Sequence, residues 1–335
     1  MGISHTMQRK LHLSLFTHLN DERLNVKIYY IYQHKKGGVR SFITRDKKRH
    51  VIETPLLMNK AKKRFNGVIS VLLIFLSVGF LSPLIIILFN SFKGKFYIMD
   101  APFTLPTSET FSGLENYTSG IEKINFFSAF GYSLFITVTS VIVIILFTSM
   151  TAWYIIRVKS KFTSALYYLF AFSMVVPFQM VMFTMSKTVN ILKLDNPIGI
   201  IFIYLGFGAG LSIFIFSGFI KSIPKEIEEA AMIDGCSPIQ TFFLVVFPIL
   251  KPTAITVSIL NAMWIWNDYL LPYLVIGNKY RTIPVAVQYL QGGYGSRDMG
   301  ALMAMLILAI LPIVVFYLLM QKHIIKGVLS GAVKG

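Results

Sequence analysis

The stretch KSIPKEIEEAAMIDGCSPIQTFFLVVFPILKP, Lys221 to Pro252, decides how the chain is read. Pro224 suits the first turn of a helix, where a missing N–H costs nothing. Glu226, Glu228 and Glu229 then fall where the positive end of the helix dipole favours anions. The pattern predicts a helix of about ten residues. Ala230 and Ala231 give it a smooth face for a partner, and Asp234-Gly235 supplies the left-handed residue that stops it. A second short helix is expected from Pro238 towards Phe247. Together they make a compact knob with no flexible linker of its own.

On either side the chain turns apolar. Stretches long enough to cross roughly 30 Å of hydrocarbon need about 20 residues each. Four clear ones run from Gly67 to Phe92, Phe126 to Ile156, Phe162 to Ser186 and Met299 to Met320. Two more carry interruptions: Pro197 to Ile220 is glycine-rich, and Pro252 to Ile276 contains Asn261, Asn267 and Asp268. The expected fold is therefore all-α, a polytopic membrane protein with six transmembrane helices. Composition agrees, since 55% hydrophobic and only 14% charged residues are untenable for a soluble chain of 335. The net charge of +17 would suggest nucleic acid in a soluble protein. In a membrane chain it reads as cationic flanks against anionic lipid, with no nucleic acid partner.

Those flanks set the orientation. Lys60, Lys62, Lys63 and Arg64 precede the first span, and Arg157, Lys159 and Lys161 fill the short loop after the second. Both termini are then expected in the cytoplasm, with 221–251 the longest cytoplasmic loop and Lys93 to Asn125 outside. Residues 1–57 differ from the rest, holding 11 basic and 4 acidic residues without a sustained helical apolar period. They read either as a cytoplasmic tail or as the product of a start placed too far upstream. Met58, followed by Asn-Lys-Ala-Lys-Lys-Arg, is the favoured natural start, so the permeation domain is expected to be 58–335. His5, His12, His18, His34 and His50 lack ligand spacing, so no metal site is expected.

The central loop resembles the EAA motif of permease subunits of ATP-binding-cassette importers: E-A-A, three residues, G, nine residues, I-x-L-P. Glu229, Ala230, Ala231 and Gly235 match, while Val245, Phe247 and Pro248 occupy the remaining places. Asp234 belongs to the same turn. WIWNDYLLPYLVI, Trp264 to Ile276, and QKHIIKGVLSGAVKG, Gln321 to Gly335, look like the fifth span and the ending of the maltose-transporter type of sugar permease. The resemblance covers Met58 to Gly335 and implies the type I importer permease fold in a bacterial cytoplasmic membrane. It also implies a second homologous permease, two ATPase subunits docked on the EAA loop and an extracytoplasmic sugar-binding protein. ATP would be used by those partner subunits, leaving this chain without a cofactor. The terminal residues Gly327 to Gly335 would dock on the ATPase pair.

Sugars are held by stacking on aromatic rings and by hydrogen bonds to amides and carboxylates. The candidate pathway residues are therefore Asn261, Trp264 and Asp268, at i, i+3 and i+7 on one helical face, with Asn267 beside them. If the span starts at Pro252, Asp268 lies roughly 24 Å up, near the outer interface. The alternative is that Trp264 and Trp266 anchor packing while Asp268 caps a helix or pairs with Lys279 or Arg281. Pro177 and Gln179 interrupt the third span and open a further amide to the pathway. Gly206, Gly208 and Gly210 read as a close helix crossing. A single cysteine, Cys236, excludes an intramolecular disulfide, and the phosphate-loop, H-E-x-x-H and G-x-S-x-G patterns are missing from the sequence, which argues against an enzyme. An ion-driven secondary transporter would be expected to show several intramembrane carboxylates and an internal repeat, and only Asp268 qualifies.

Overall fold

The structure is a computed structural model that describes residues 46–291 and 298–332. Among those residues every regular element is helical, and the sole strand-type pairing is an isolated bridge between Lys93 and Phe111. The chain divides into two units, Met1–Val78 and Gly79–Gly335. Most of the extension, residues 1–45, lies outside the described residues. From residue 46 the first unit is helix, the beginning of α1 (Asp46–Asn90). Along Ile69–Asn90 this helix is apolar on all sides, with Val71, Phe75 and Phe80 exposed. Such a surface belongs in lipid or against another protein.

In the second unit, α2 (Lys95–Asp100) and α3 (Glu115–Ile124) lie in the segment expected outside. Lys93 is buried there, and its Nζ donates to the Ala101 carbonyl at 2.8 Å and to Thr104 Oγ1 at 3.1 Å. Burial pushes its ammonium below the ordinary lysine value. Next come α4 (Phe126–Arg157), α5 (Lys161–Ser173), α6 (Phe178–Ile191) and α7 (Gly199–Ile220). After α8 (Lys225–Ile233), the short α9 (Pro238–Thr241) runs through a π turn, Phe242–Val246, into α10 (Phe247–Asn267). The chain closes with α11 (Leu270–Val275), α12 (Ile283–Gln288) and α13 (Met299–Ala332).

Among the described residues five helices are long and apolar enough to cross a membrane, and six crossings result if α5 and α6 form one bent span. The third span expected from Phe162 to Ser186, read as interrupted at Pro177, is a bent pair in which the chain turns by 107° between α5 and α6. Pro177 supplies the reason. Its ring disfavours the helical conformation for the residue before it, and it has no N–H to give to the preceding turn.

The fifth span is also longer at one end and shorter at the other than predicted. It does not begin at Pro252, which sits inside α10; the helical path from Pro238 to Asn267 is continuous. The second short helix of the knob is therefore the foot of a span. Pro248 has no N–H for the Leu244 carbonyl, and the ladder widens just before it: Phe247 N–H donates to Phe242 O, five residues back. At the far end Asp268 is extended, with ψ 124°, and closes the helix.

The core forms where α4 packs along α7 and both meet α10. Gly208 lets these helices approach: a Cβ there would lie 2.8 Å from Ile144 Cδ1 and 2.9 Å from Asn261 Oδ1. Gly210 likewise faces Ser173 and Phe170 of α5, while Gly206 opens onto free space, so two of the three glycines serve the crossing. The chain's last helix does not release its tail at Met320. Backbone helix continues to Ala332, since extension of an existing helix needs no new nucleus. Residues 333–335 lie outside the described residues.

Candidate functional site

The knob forms as its sequence dictates. Pro224 precedes α8, and Gly235 adopts φ +92°, the left-handed region. Gly235 N–H donates to the Met232 carbonyl at 3.1 Å and Cys236 N–H to that of Ala231 at 3.0 Å, satisfying the carbonyls of the last turn. Ser237 and Gln240 then cap each other's backbone N–H groups and start α9. Glu229, Ala230 and Asp234 are exposed, and Ile233 is 86% exposed. Ala231 turns inward instead. Pro248 is exposed, and Val245 and Phe247 are half-buried. The knob thus presents a carboxylate, a small methyl and a large apolar side chain on its exposed surface.

Glu228 does something the sequence did not reveal. Rather than facing solvent beside the helix dipole, it is buried and accepts from the end of α4. Arg157 Nε lies 2.9 and 3.0 Å from its two carboxylate oxygens, and an Arg157 terminal nitrogen 2.6 Å from Oε1. Trp153 Nε1 donates to Oε2 at 3.0 Å, and Arg157 also donates to the Ile223 carbonyl at 3.0 Å. Trp153 rests against Phe242 of the π turn, with ring centroids 5.5 Å apart. This is a bidentate, hydrogen-bonded ion pair with its remaining acceptor capacity filled. The only hint in the sequence is a basic residue at the end of a span, which topology rules read as a lipid flank.

At the other end of α10 the predicted pathway residues separate. Asn261 is buried and donates to Ser212 Oγ at 3.1 Å and to the Val257 carbonyl at 2.9 Å. Asp268 is not on the helical face with it, because the helix has ended. Its Oδ1 accepts from the N–H groups of Leu270 and Leu271 at 3.1 and 3.4 Å, capping α11. Its Oδ2 accepts from the buried Tyr204 hydroxyl at 3.1 Å. Lys279 and Arg281, the cations considered for it, lie instead over the rings of Tyr280 and Tyr289. Trp264 is 40% exposed and meets Tyr204 edge-on, with centroids 5.5 Å apart. Asn267 is exposed beside it, with its amide donating to the Met263 carbonyl at 2.7 Å. Gln179 is exposed in the first turn of α6, on the other limb of the break at Pro177. Trp266 is buried, against Phe130.

A helical membrane component with a rigid knob at one end and an aromatic, amide-bearing surface at the other is the class of protein these features define. Residues 144–330 match the family described as binding-protein-dependent transport system inner membrane component, and the chain belongs to that family. It is 41% identical over 263 residues to the probable starch degradation products transport system permease protein AmyC of Thermoanaerobacterium thermosulfurigenes, covering 78% of this chain and 94% of that one. It is 37% identical to the multiple sugar-binding transport system permease protein MsmG of Streptococcus mutans, covering 78% and 95%. A bacterial ABC transporter structure involved in the import of the acidic polysaccharide alginate superposes with a TM-score of 0.61 at 21% identity, over 84% of this chain and 99% of that one. That likeness supports the fold.

Proposed function

We propose that the chain is one of two permeases of an ATP-driven, binding-protein-dependent importer of a sugar or oligosaccharide. The observation that carries this is the EAA-type knob, with Glu229 and Ala230 exposed for an ATPase subunit while Glu228 locks the knob to a span. The similarity to permeases named for starch degradation products and for multiple sugars supports a carbohydrate cargo. In this reading both termini and the knob are cytoplasmic, two ATPase subunits bind below, and a second permease completes the pathway. A sugar-binding protein delivers cargo from outside. The permeation domain is 58–335, and the chain performs no chemistry itself.

Trp264, Asn267 and Gln179 are the side chains free to meet a sugar; Asn261 and Asp268 hold the scaffold that presents them. The test is uptake and competition with labelled mono-, di- and trisaccharides in a strain lacking only this chain, complemented by the wild type. Complementation that restores no saccharide uptake refutes the cargo class. A cysteine at position 264 or 267 should react with a small polar reagent at a sugar-dependent rate; inertness in every nucleotide state would return both residues to packing.

A further inference from the structure

A cavity of about 730 Å³ opens where the ends of α4 and α7 meet the start of α5. Lys159, Lys161 and Lys221 line it together with Ser160, Tyr167 and Tyr168. No carboxylate lines it, and among the described residues none of the three lysines takes part in an ion pair. Lys221 lies over the Tyr167 ring, 5.4 Å from its centroid, which places that cation at the cavity wall. Arg157, two residues before Lys159, is already committed to Glu228. The cavity therefore concentrates positive charge that no carboxylate among the described residues neutralises.

Its surroundings identify what would neutralise it. Phe162, Leu169 and Phe172 are exposed along α5, the helix whose first residues line the cavity, and give it an apolar strip. Farther along, Leu169 and Phe172 line a second, mainly apolar cavity of about 460 Å³ with Val176, Ile203 and Phe207. A ligand matching both features has an anionic head and a long apolar tail. A soluble anion would use only the lysines, and a neutral lipid only the strip.

We infer that this site binds an anionic phospholipid, its phosphate headgroup among Lys159, Lys161 and Lys221 and an acyl chain along α5. Basic pockets between helices on the cytoplasmic side suit such headgroups. Location in the inner leaflet rests on the orientation given under Proposed function; binding of the lipid by these residues does not. The site adjoins the Arg157–Glu228 clamp through the loop 158–160, so its occupancy would brace the same corner of the protein that holds the knob.

The test uses the purified full importer in detergent, titrated with phosphatidylglycerol or phosphatidylcholine and read by native mass spectrometry. Each lysine near an anionic surface contributes roughly a fivefold gain, so Lys159→Gln, Lys161→Gln and Lys221→Gln together should weaken phosphatidylglycerol binding about a hundredfold. Phosphatidylcholine binding should not change. Equal retention of the two lipids, or unaltered phosphatidylglycerol binding in the triple variant, overturns the proposal. Displacement of phosphatidylglycerol by equimolar inorganic phosphate would also overturn it, assigning a site for a free anion. Absence of any specific lipid on the assembled wild-type complex would do so too, because a neighbouring subunit would then own the surface. Separately, a cysteine at position 159 that reacts with an impermeant reagent from outside intact cells would refute the orientation while leaving the lipid titration valid.

Discussion

Replacing Glu228 with glutamine removes one charge at nearly constant shape, and the structure sets the size of the effect. The carboxylate is only 5% exposed and Arg157 only 14% exposed, so the charge left on Arg157 stays largely shielded from water. Breaking a buried pair by deleting one partner destabilises by about 3–5 kcal/mol. Glutamine retains one oxygen acceptor for Trp153 or Arg157, so the low end, about 3 kcal/mol, applies. That lowers the ratio of docked to undocked knob about a hundredfold. Because α8 makes few other contacts with the core, the loss should appear as local opening of Lys225–Ile233 rather than as unfolding of the spans. Amide hydrogen exchange in the assembled importer should accelerate across those residues. Basal ATP hydrolysis should persist while its stimulation by cargo falls. Arg157→Lys keeps the charge but loses the two-pronged geometry, and should fall between wild type and Glu228→Gln. Unchanged exchange at Lys225–Ile233 together with wild-type cargo stimulation in Glu228→Gln would refute the clamp.

Three further outcomes are expected. Gly235→Val has open space for its side chain, so its penalty comes from φ +92° alone, upward of about 1–2 kcal/mol; thermal unfolding should be nearly unchanged while transport uncouples from ATP hydrolysis. Gly208→Ala drives a Cβ to 2.8 Å from Ile144 and should cost about 1–3 kcal/mol in melting experiments, whereas Gly206→Ala, which meets nothing within 4 Å, should cost nothing. At Asp298 burial works against the charge, but the hydrogen bonds from Lys123 and the Ala301 N–H and the cations of Lys123 and Lys95 outweigh it, holding the carboxyl below its ordinary 3.8. Its contribution is therefore complete above that value and lost as pH falls through the lowered one. Limited proteolysis near α3 should show acid loosening that Asp298→Asn no longer displays.

The elements legible in the sequence are those specified by local chemistry. Pro224, Asp234-Gly235 and the apolar lengths place α8, its stop and the spans because each depends on neighbours in sequence. The Pro177 break is written locally too, but its 107° angle is not, since a missing N–H and a restricted preceding residue permit a bend without setting its size. The run-through from Pro238 to Asn267 was illegible for a different reason. Pro252 reads as a start, and it is the packing of Phe242, Val246, Leu250 and Ala254 into the core that accompanies an unbroken helical path across it. Glu228 with Arg157, and Tyr204 with Asp268, are 71 and 64 residues apart, and no periodicity predicts such pairs.

In the proposed reading, these long-range pairs would carry a push on the knob towards the proposed cargo surface. One route runs from α8 through Glu228 and Arg157 into the last turn of α4; the other runs from Ser237 through the π turn into α10 without a break in the helix. The two routes reconverge where Gly208 of α7 admits Ile144 of α4 and Asn261 of α10. With α4, α7 and α10 tied at both levels, a displacement of the knob would move three spans together, since close-packed interiors shift between discrete arrangements more readily than they deform. The far end of that body carries Trp264 and Asn267, about 45 Å along the helical path from Pro238. Gln179 lies beyond the break at Pro177, on α6, which packs on α11 and also meets α7 through Phe178 and Phe207. Motion of the body against that limb would change the gap between Trp264 and Gln179, and the hinge for it is a proline that already lacks the hydrogen bond a bend must break.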